Sequence, residues 1–318
     1  MRETRLSVII CTYNRCQNLP TCLGKLARQQ GVDGLGWEVL VVDNNSTDQT
    51  PQAVHDLARQ LPIRIRYVRE PEQGLNYARN RGIAESGSEY FAFLDDDITA
   101  EAHWLASVFS SFQANDADAV GGRIHLDPSL ELPAWIKPEM YGFLGYQDLG
   151  ERAFQMDGSR NYPFGGNMAF NRRVVEKIGM FNPKLGRRGS GQKRSELFKG
   201  AETDYFHRLA ASGGARIFYE PKAIVYHRVL PFQLTKAYFR TIHYNAGFQK
   251  ALNDSQSYER QLLGIPLFMF PQFGRSVWKY LRQVTTRGAD SAFHQQMIVG
   301  NFLGTMRGYV RRRRRSDA

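Results

Sequence analysis

The chain has 318 residues, enough for one large domain or two smaller ones with a sizeable core. Hydrophobic residues at 42% and charged residues at 23% exclude a disordered or fibrous chain. The formal net charge of +11 suits nucleic acid, an anionic membrane or phosphorylated substrates, and part of it is concentrated in residues 311–315, all arginine.

Residues 1–5 lead directly into an apolar stretch too short for a secretory leader and without a small-residue cleavage site, so the chain is expected to stay in the cytoplasm. Cys11, Cys16 and Cys22 are odd in number and lack zinc-ligand spacing, which predicts reduced thiols. Short apolar runs then alternate with amphipathic stretches, the pattern of βαβ units on a parallel sheet. Strands are predicted over residues 6–12, 37–43, 63–68 and 90–94, and helices over 19–30, 51–61 and 75–86, the second capped by Thr50 ahead of Pro51.

A helix over 103–115 and a strand over 119–124 follow. From there to about residue 200, proline, glycine and aromatic residues predict binding loops, among them a cationic, glycine-rich lid over 186–195. A helix over 202–212 and strand-like runs over 216–219 and 223–227 return to ordinary packing. The apolar stretch 262–273 is interrupted by Pro266 and Pro271 and is too short for the ~20 residues of a membrane span. With the basic and aromatic residues after it, it suits either a membrane-surface segment or a packed helix.

The fourth strand ends in Asp95-Asp96-Asp97, at the carboxyl edge where parallel sheets place ligands. Three adjacent like charges are relieved by a hard divalent cation, Mn2+ or Mg2+, and Asp95 and Asp97 are spaced to present oxygens to one ion holding a diphosphate. A solvated, helix-capping turn is the plainer alternative. The first and second strands end in Thr12-Tyr13-Asn14-Arg15 and Asp43-Asn44-Asn45, supplying hydroxyls, a stacking ring, a cation and a carboxylate able to accept from a nucleobase edge. Glu202 and Asp204 open a helix after the predicted lid, and a carboxylate there is suited to take a proton from an attacking hydroxyl. The same acids also favour a helix N-terminus. His227 ends a strand-like run, either as a structural histidine or as one more metal ligand.

The segments Ser-Val-Ile-Ile-Cys-Thr-Tyr-Asn-Arg, Val-Val-Asp-Asn-Asn-Ser-Thr-Asp, Gly-Leu-Asn-Tyr-Ala-Arg-Asn-Arg-Gly and Phe-Leu-Asp-Asp-Asp, in this order, resemble the inverting glycosyltransferases of family 2 over about residues 5–230. The resemblance implies an α/β fold of the GT-A type, Rossmann-like with a mostly parallel sheet, over residues 1–230, leaving 231–318 as a helical, basic extension. It implies donor-base recognition around Thr12, Tyr13 and Asp43 and a metal-dependent diphosphate site at Asp95 to Asp97, to which the residue reading adds Arg15, Asn45, Asp95 and Asp96 for the donor and His227 beside Asp95 and Asp97 for the metal. Gly166 and Asn167 would lie near the acceptor and the reacting sugar; Trp135, read from the residues alone, suits either a stacking face for a sugar or ordinary packing. Glu202 stands where the family's catalytic aspartate is expected, with Asp204 as fallback. The expected partners are a nucleotide-sugar donor, a glycan or lipid-linked acceptor and an anionic membrane surface, with no nucleic acid. The rivals are a sugar nucleotidyltransferase, which lacks its glycine-rich phosphate loop here, and a non-catalytic protein using the basic tail.

Overall fold

Continuous apolar runs build the first half of the central sheet in the computed structural model, which describes residues 4–189, 193, 196–197, 200–254 and 256–316. Strands β1 (Leu6–Thr12), β2 (Trp37–Asp43), β3 (Ile65–Arg69) and β4 (Tyr90–Asp95) lie parallel in the order β3-β2-β1-β4. Alternate side chains of β1 enter different cores, because strand neighbours point to opposite faces. Val8 and Ile10 pack with Leu19, Leu23 and Leu26 of α1 (Leu19–Leu26), whereas Ile9 packs with Ala78 and Ile83 of α3 (Leu75–Glu85). Helix α1 stops four residues before the predicted end, where Arg28 and Gln29 turn back onto the Lys25 and Leu26 carbonyls. Helix α2 (Thr50–Gln60) includes Thr50 itself, and the capping acceptor is Asp48, which takes the Thr50 N–H at 3.0 Å and its hydroxyl at 2.5 Å.

The second half of the sheet departs from the sequence expectation. The chain continues through β5 (Ile98–Ala100), α4 (Trp104–Asn115), β6 (Ala119–Leu126), β7 (Phe154–Met156), β8 (Met168–Asn171), α5 (Arg172–Ile178), α6 (Ala201–Ala211) and β9 (Ile217–His227). The stretch expected as loops thus supplies β7, β8 and α5. Strand β8 inserts antiparallel between β4 and β6, and β9 runs parallel to β6. The two predicted runs near 216–227 are one strand, whose pairing with β6 jumps from Gly122↔Glu220 to Arg123↔Ile224 and leaves Pro221, Lys222 and Ala223 as a bulge. Half of the predicted lid, residues 190–192 and 194–195, lies outside the described residues.

The chain divides into two compact units. The first comprises Met1–Leu130, Leu144–Ser190 and Gly200–Val229, and the second Glu131–Phe143, Gly191–Lys199 and Leu230–Ala318, within the described residues. The second unit is built on α7 (Lys236–Leu252), the hairpin β10 (Gln261–Leu262) and β11 (Ile265–Pro266), α8 (Met269–Ser291) and α9 (Phe293–Ser316). Ala251, Ile265, Met269 and Tyr309 form a buried cluster there. The run 262–273 is therefore a hairpin leading into a helix. Among the described residues no helix is long and apolar enough to cross a membrane.

Candidate active site

Parallel register aligns the ends of β1 and β2, so that Thr12 lies beside Asp43. The buried Asp43 carboxylate accepts from the Ser46 N–H at 2.8 Å through one oxygen and from the Tyr67 hydroxyl at 2.8 Å through the other. Burial and then this bond push the Tyr67 hydroxyl up to about 12. Asn14 and Asn45 adopt left-handed backbone, φ 51° and 65°, which asparagine tolerates. Asn14 joins the two strand ends by donating its N–H to Ser46 Oγ and accepting from the Thr47 N–H. Asn45 Oδ1 accepts from Arg69 at 2.9 Å. Tyr13 is half-buried beside them.

The acidic triplet at the end of β4 is organised by the first loop. The Thr12 hydroxyl donates to Asp96 Oδ2 at 2.7 Å, and Arg15 Nη1 bridges Asp96 Oδ1 at 3.1 Å and Asp97 Oδ2 at 3.0 Å. These contacts make Thr12 and Arg15 supports of the carboxylates. Burial raises Asp95 and Asp96 above the carboxylate range, with the Asp97 charge adding to it. Burial acts the same way on Asp97, but His227, Arg15 and Arg187 outweigh it and hold that carboxyl low. His227 reaches the triplet because β9 pairs with β5, Ile98 opposite His227. Its Nδ1 lies 2.6 Å from the Leu144 carbonyl, to which it donates, and its Nε2 stands 3.4 Å from Asp97 Oδ1; burial opposes the ring's charge, but Asp97 outweighs it and holds the imidazole above its ordinary value.

That pairing is a test of whether a metal fits. Asp97 Oδ1 is buried with no hydrogen-bond partner, and His227 Nε2 beside it becomes a second donor atom once it gives up its proton, so a cation fits between them in place of that proton. Adjacent ligands of an octahedral ion with bonds of ~2.1 Å stand about 3 Å apart, close to the observed separation. Among the described residues no group of three or more acidic, histidine or cysteine side chains gathers as a ready-made site. The residues therefore fit an ion completed by phosphate oxygens and water, in the manner of Mg2+ sites.

Glu202 sits in the first turn of α6 after Gly200, whose φ of 102° starts the helix abruptly. Its Oε1 accepts from Nη2 of the buried Arg79 at 2.8 Å. Burial raises the Glu202 carboxyl, but Arg79, the residue's own N–H and Arg187 outweigh it, so the group is held below its ordinary value. Between this pair and the acidic triplet runs Gly165-Gly166. A Cβ on Gly165 would stand 2.1 Å from Glu202 Oε1 and 2.4 Å from Arg79 Nη2, and one on Gly166 would meet Ile98 Cδ1 at 2.5 Å and Asp95 Oδ2 at 3.5 Å. The base candidate and the metal candidates are thus separated by two peptide units without side chains.

Other expected residues are engaged elsewhere. Asp204, about 200° around the helix from Glu202, pairs with Arg208 at 3.0 Å. Asn167 is buried: its Oδ1 accepts from Trp104 Nε1 at 2.8 Å, and its amide donates to the Arg123 and Ala223 carbonyls at 2.9 and 2.8 Å. Both of its side-chain donors are therefore used inside the scaffold. Trp135 belongs to the second unit, where its ring packs edge-on against Phe239 and Phe293. Sequence reasoning passed over Arg79, although it lies in a quoted motif, and Arg187, whose charge acts on Asp95, Asp97 and Glu202 alike.

The profile of the family described as glycosyl transferase family 2 matches residues 7–179. The glucosyl-dolichyl phosphate glucuronosyltransferase of Haloferax volcanii is 26% identical over 234 residues, 72% of this chain and 71% of that one. The succinoglycan biosynthesis protein ExoM of Rhizobium meliloti is 26% identical over 246 residues, 76% and 72% of the two chains. Among solved structures, the mannosyltransferase PcManGT from Pyrobaculum calidifontis in complex with GDP-Man and Mn2+ superposes with a TM-score of 0.59 at 19% identity, covering 97% of this chain and 87% of that one. S. aureus TarS 1-349 in complex with UDP-GlcNAc gives 0.54 at 16% identity, covering 98% and 92%, while this chain spans 41% of a longer TarS chain. These structural likenesses show the fold, which is of the GT-A type.

Proposed function

The chain belongs to glycosyl transferase family 2, and on that premise we propose that this glycosyltransferase moves a sugar from a nucleotide-sugar donor to an acceptor hydroxyl with inversion, in glycan biosynthesis. The observation that carries the mechanism is that the adjacent glycines Gly165 and Gly166 lie against Glu202 and near Asp95, respectively. Asp43, Tyr13 and Asn45 frame the nucleoside, and Thr12 and Arg15 fix the carboxylates that face the diphosphate. Asp95, Asp97 and His227 would hold a divalent ion, which supplies charge neutralisation on the departing diphosphate when bound. Arg187 adds a second positive charge there.

Glu202, kept ionised by Arg79, takes the acceptor proton as the oxygen attacks the anomeric carbon. The carbon–oxygen bond to the diphosphate breaks in the same displacement, which inverts the centre. The structural neighbours in complex with GDP-Man and Mn2+ or with UDP-GlcNAc support both the donor class and the metal. The name of the Haloferax relative supports a lipid-linked acceptor. The first unit carries this chemistry, and the arginine run of the second unit supports attachment to the inner membrane surface.

The test is calorimetric binding of UDP- and GDP-sugars with and without Mn2+, beside turnover. Glu202→Gln is expected to bind the donor normally while losing ~10³-fold in kcat. Asp97→Ala is expected to lose metal-dependent binding. Normal turnover by Glu202→Gln would sink the assignment of the base.

A further inference from the structure

The second unit contains a cavity of ≈ 670 Å³ between β11 and the C-terminal half of α9, lined by Ile265, Met306, Arg307, Val310, Arg311 and Arg314. Helical spacing sorts these residues into two stripes. Met306 and Val310 stack one turn apart, and Arg307, Arg311 and Arg314 follow the same side of the helix. Neighbouring polar groups are already committed: Arg312 donates to the Asp254 and Gln256 carbonyls, and Tyr309 to Asp254 Oδ2 at 2.5 Å. Arg307, Arg311 and Arg314 are exposed and form no ion pair among the described residues. Three uncompensated cations therefore border an apolar wall.

The hairpin beside this cavity is built to show apolar side chains. Its two-residue turn is Leu263-Gly264, with φ of 52° and 84°. Both positions are left-handed, as a type I′ turn requires, but such a turn ordinarily uses asparagine or glycine where Leu263 stands. Leu263 is 64% exposed, and Leu262, Leu267 and Phe268 around it are 54%, 44% and 48% exposed. Strain spent on presenting a leucine to solvent is a mark of function rather than of packing. Gly264 lets the turn rest on α9, since a Cβ there would stand 3.0 Å from Arg313 Cβ and 3.2 Å from the Tyr309 carbonyl.

We propose that this hairpin and the arginine face of α9 form a headgroup site for an anionic phospholipid in a bilayer. The lipid phosphate lies against Arg307, Arg311 and Arg314, and Leu263 and Phe268 enter the acyl boundary. Both halves of the site are needed to identify the occupant. A soluble phosphate would have no use for the apolar wall or the exposed leucines, and an apolar peptide would leave three cations uncompensated. The α8 helix continues the pattern with exposed Trp278 and Leu281, and the Arg282 guanidinium lies 5.6 Å from the Trp278 ring centre, a pairing suited to headgroup depth.

The inference rests on the membrane placement proposed above and gives it residues; it is independent of the sugar chemistry. The experiment is flotation of the full chain with vesicles of phosphatidylcholine alone or containing phosphatidylglycerol, with donor binding measured on the same preparations. Wild type is expected to float only with the anionic vesicles. The Arg307→Ala/Arg311→Ala/Arg314→Ala variant should partition at least ~30-fold more weakly, at an unchanged melting temperature. Leu263→Asn, which keeps a left-handed turn residue, should weaken partition most at high salt, where the charge contribution is screened. Flotation of the triple variant equal to wild type would overturn this site while leaving the membrane placement standing. No flotation with any vesicle would overturn both, whatever the donor binding. Release from the vesicles by millimolar inorganic phosphate would identify a simple phosphate site and overturn the lipid assignment, as would self-association through this face in place of flotation.

Discussion

Arg79 and Glu202 are 123 residues apart, yet they share a hydrogen bond of 2.8 Å, and the consequences for activity are specific. Glu202 ionises more readily than its ordinary value of 4.5, so the pair's stabilisation is complete above that pH and fades as pH falls through the lowered folded value. Arg79→Met removes the cation and leaves only burial, which raises the carboxyl. The acid limb of the kcat/KM profile should therefore move to higher pH, and urea unfolding should show a loss of about 2–3 kcal/mol, less than for a fully buried pair because Glu202 is partly exposed. An unmoved acid limb would show that Arg79 does not set the base. Gly165→Ala is expected to displace the carboxylate and lower kcat by ~10²-fold with donor affinity nearly unchanged, read in the same assays. None of this pairing was legible in the sequence, where Glu202 is visible by its place before a helix but its partner is only one arginine among many.

Elements were legible in proportion to their hydrophobic length. Strands β1, β2 and β4 were readable because both faces are buried and each run is six or seven residues long, whereas the half-buried β3 at the sheet edge showed only as a shorter alternating run of five. Strand β8 escaped because it has four residues and follows Pro163-Phe164-Gly165-Gly166, a turn-like approach. Pro221 split β9 in two for the reader but only bulged it in the fold. Asn167 is where these less legible elements are joined: its three bonds link the start of β8 to α4, β6 and β9. Asn167→Leu leaves buried partners unpaired and should cost about 2–4 kcal/mol by chemical denaturation. A variant of wild-type stability with a raised acceptor KM would instead return Asn167 to the acceptor role expected for it.

At the scale of the molecule, the three cysteines report opening to different depths, and Cys22 reports global opening. Burial pushes the Cys11 thiol up to about 12 and raises Cys22 as well, and both lie inside the first unit's α/β core or beside it. Native protein should therefore react with a thiol reagent first at the partly exposed Cys16, more slowly at Cys11, whose thiol is raised further, and at the buried Cys22 only with the kinetics of unfolding. Rapid reaction of Cys22 in the native state would contradict the packing of β1 against α1. The second unit has a different vulnerability, set by the order in which its parts are made. Trp135 belongs to a segment translated 104 residues before Phe239 and 158 before Phe293, the rings it packs against. At ~5–20 residues per second, a growing chain carries that indole uncovered for several seconds or longer, and until release if α9 is still inside the ribosome. The interval makes nascent-chain chaperones a determinant of yield, and it means that a truncation before α7 would strand apolar surface in the middle of the polypeptide rather than merely shorten its end.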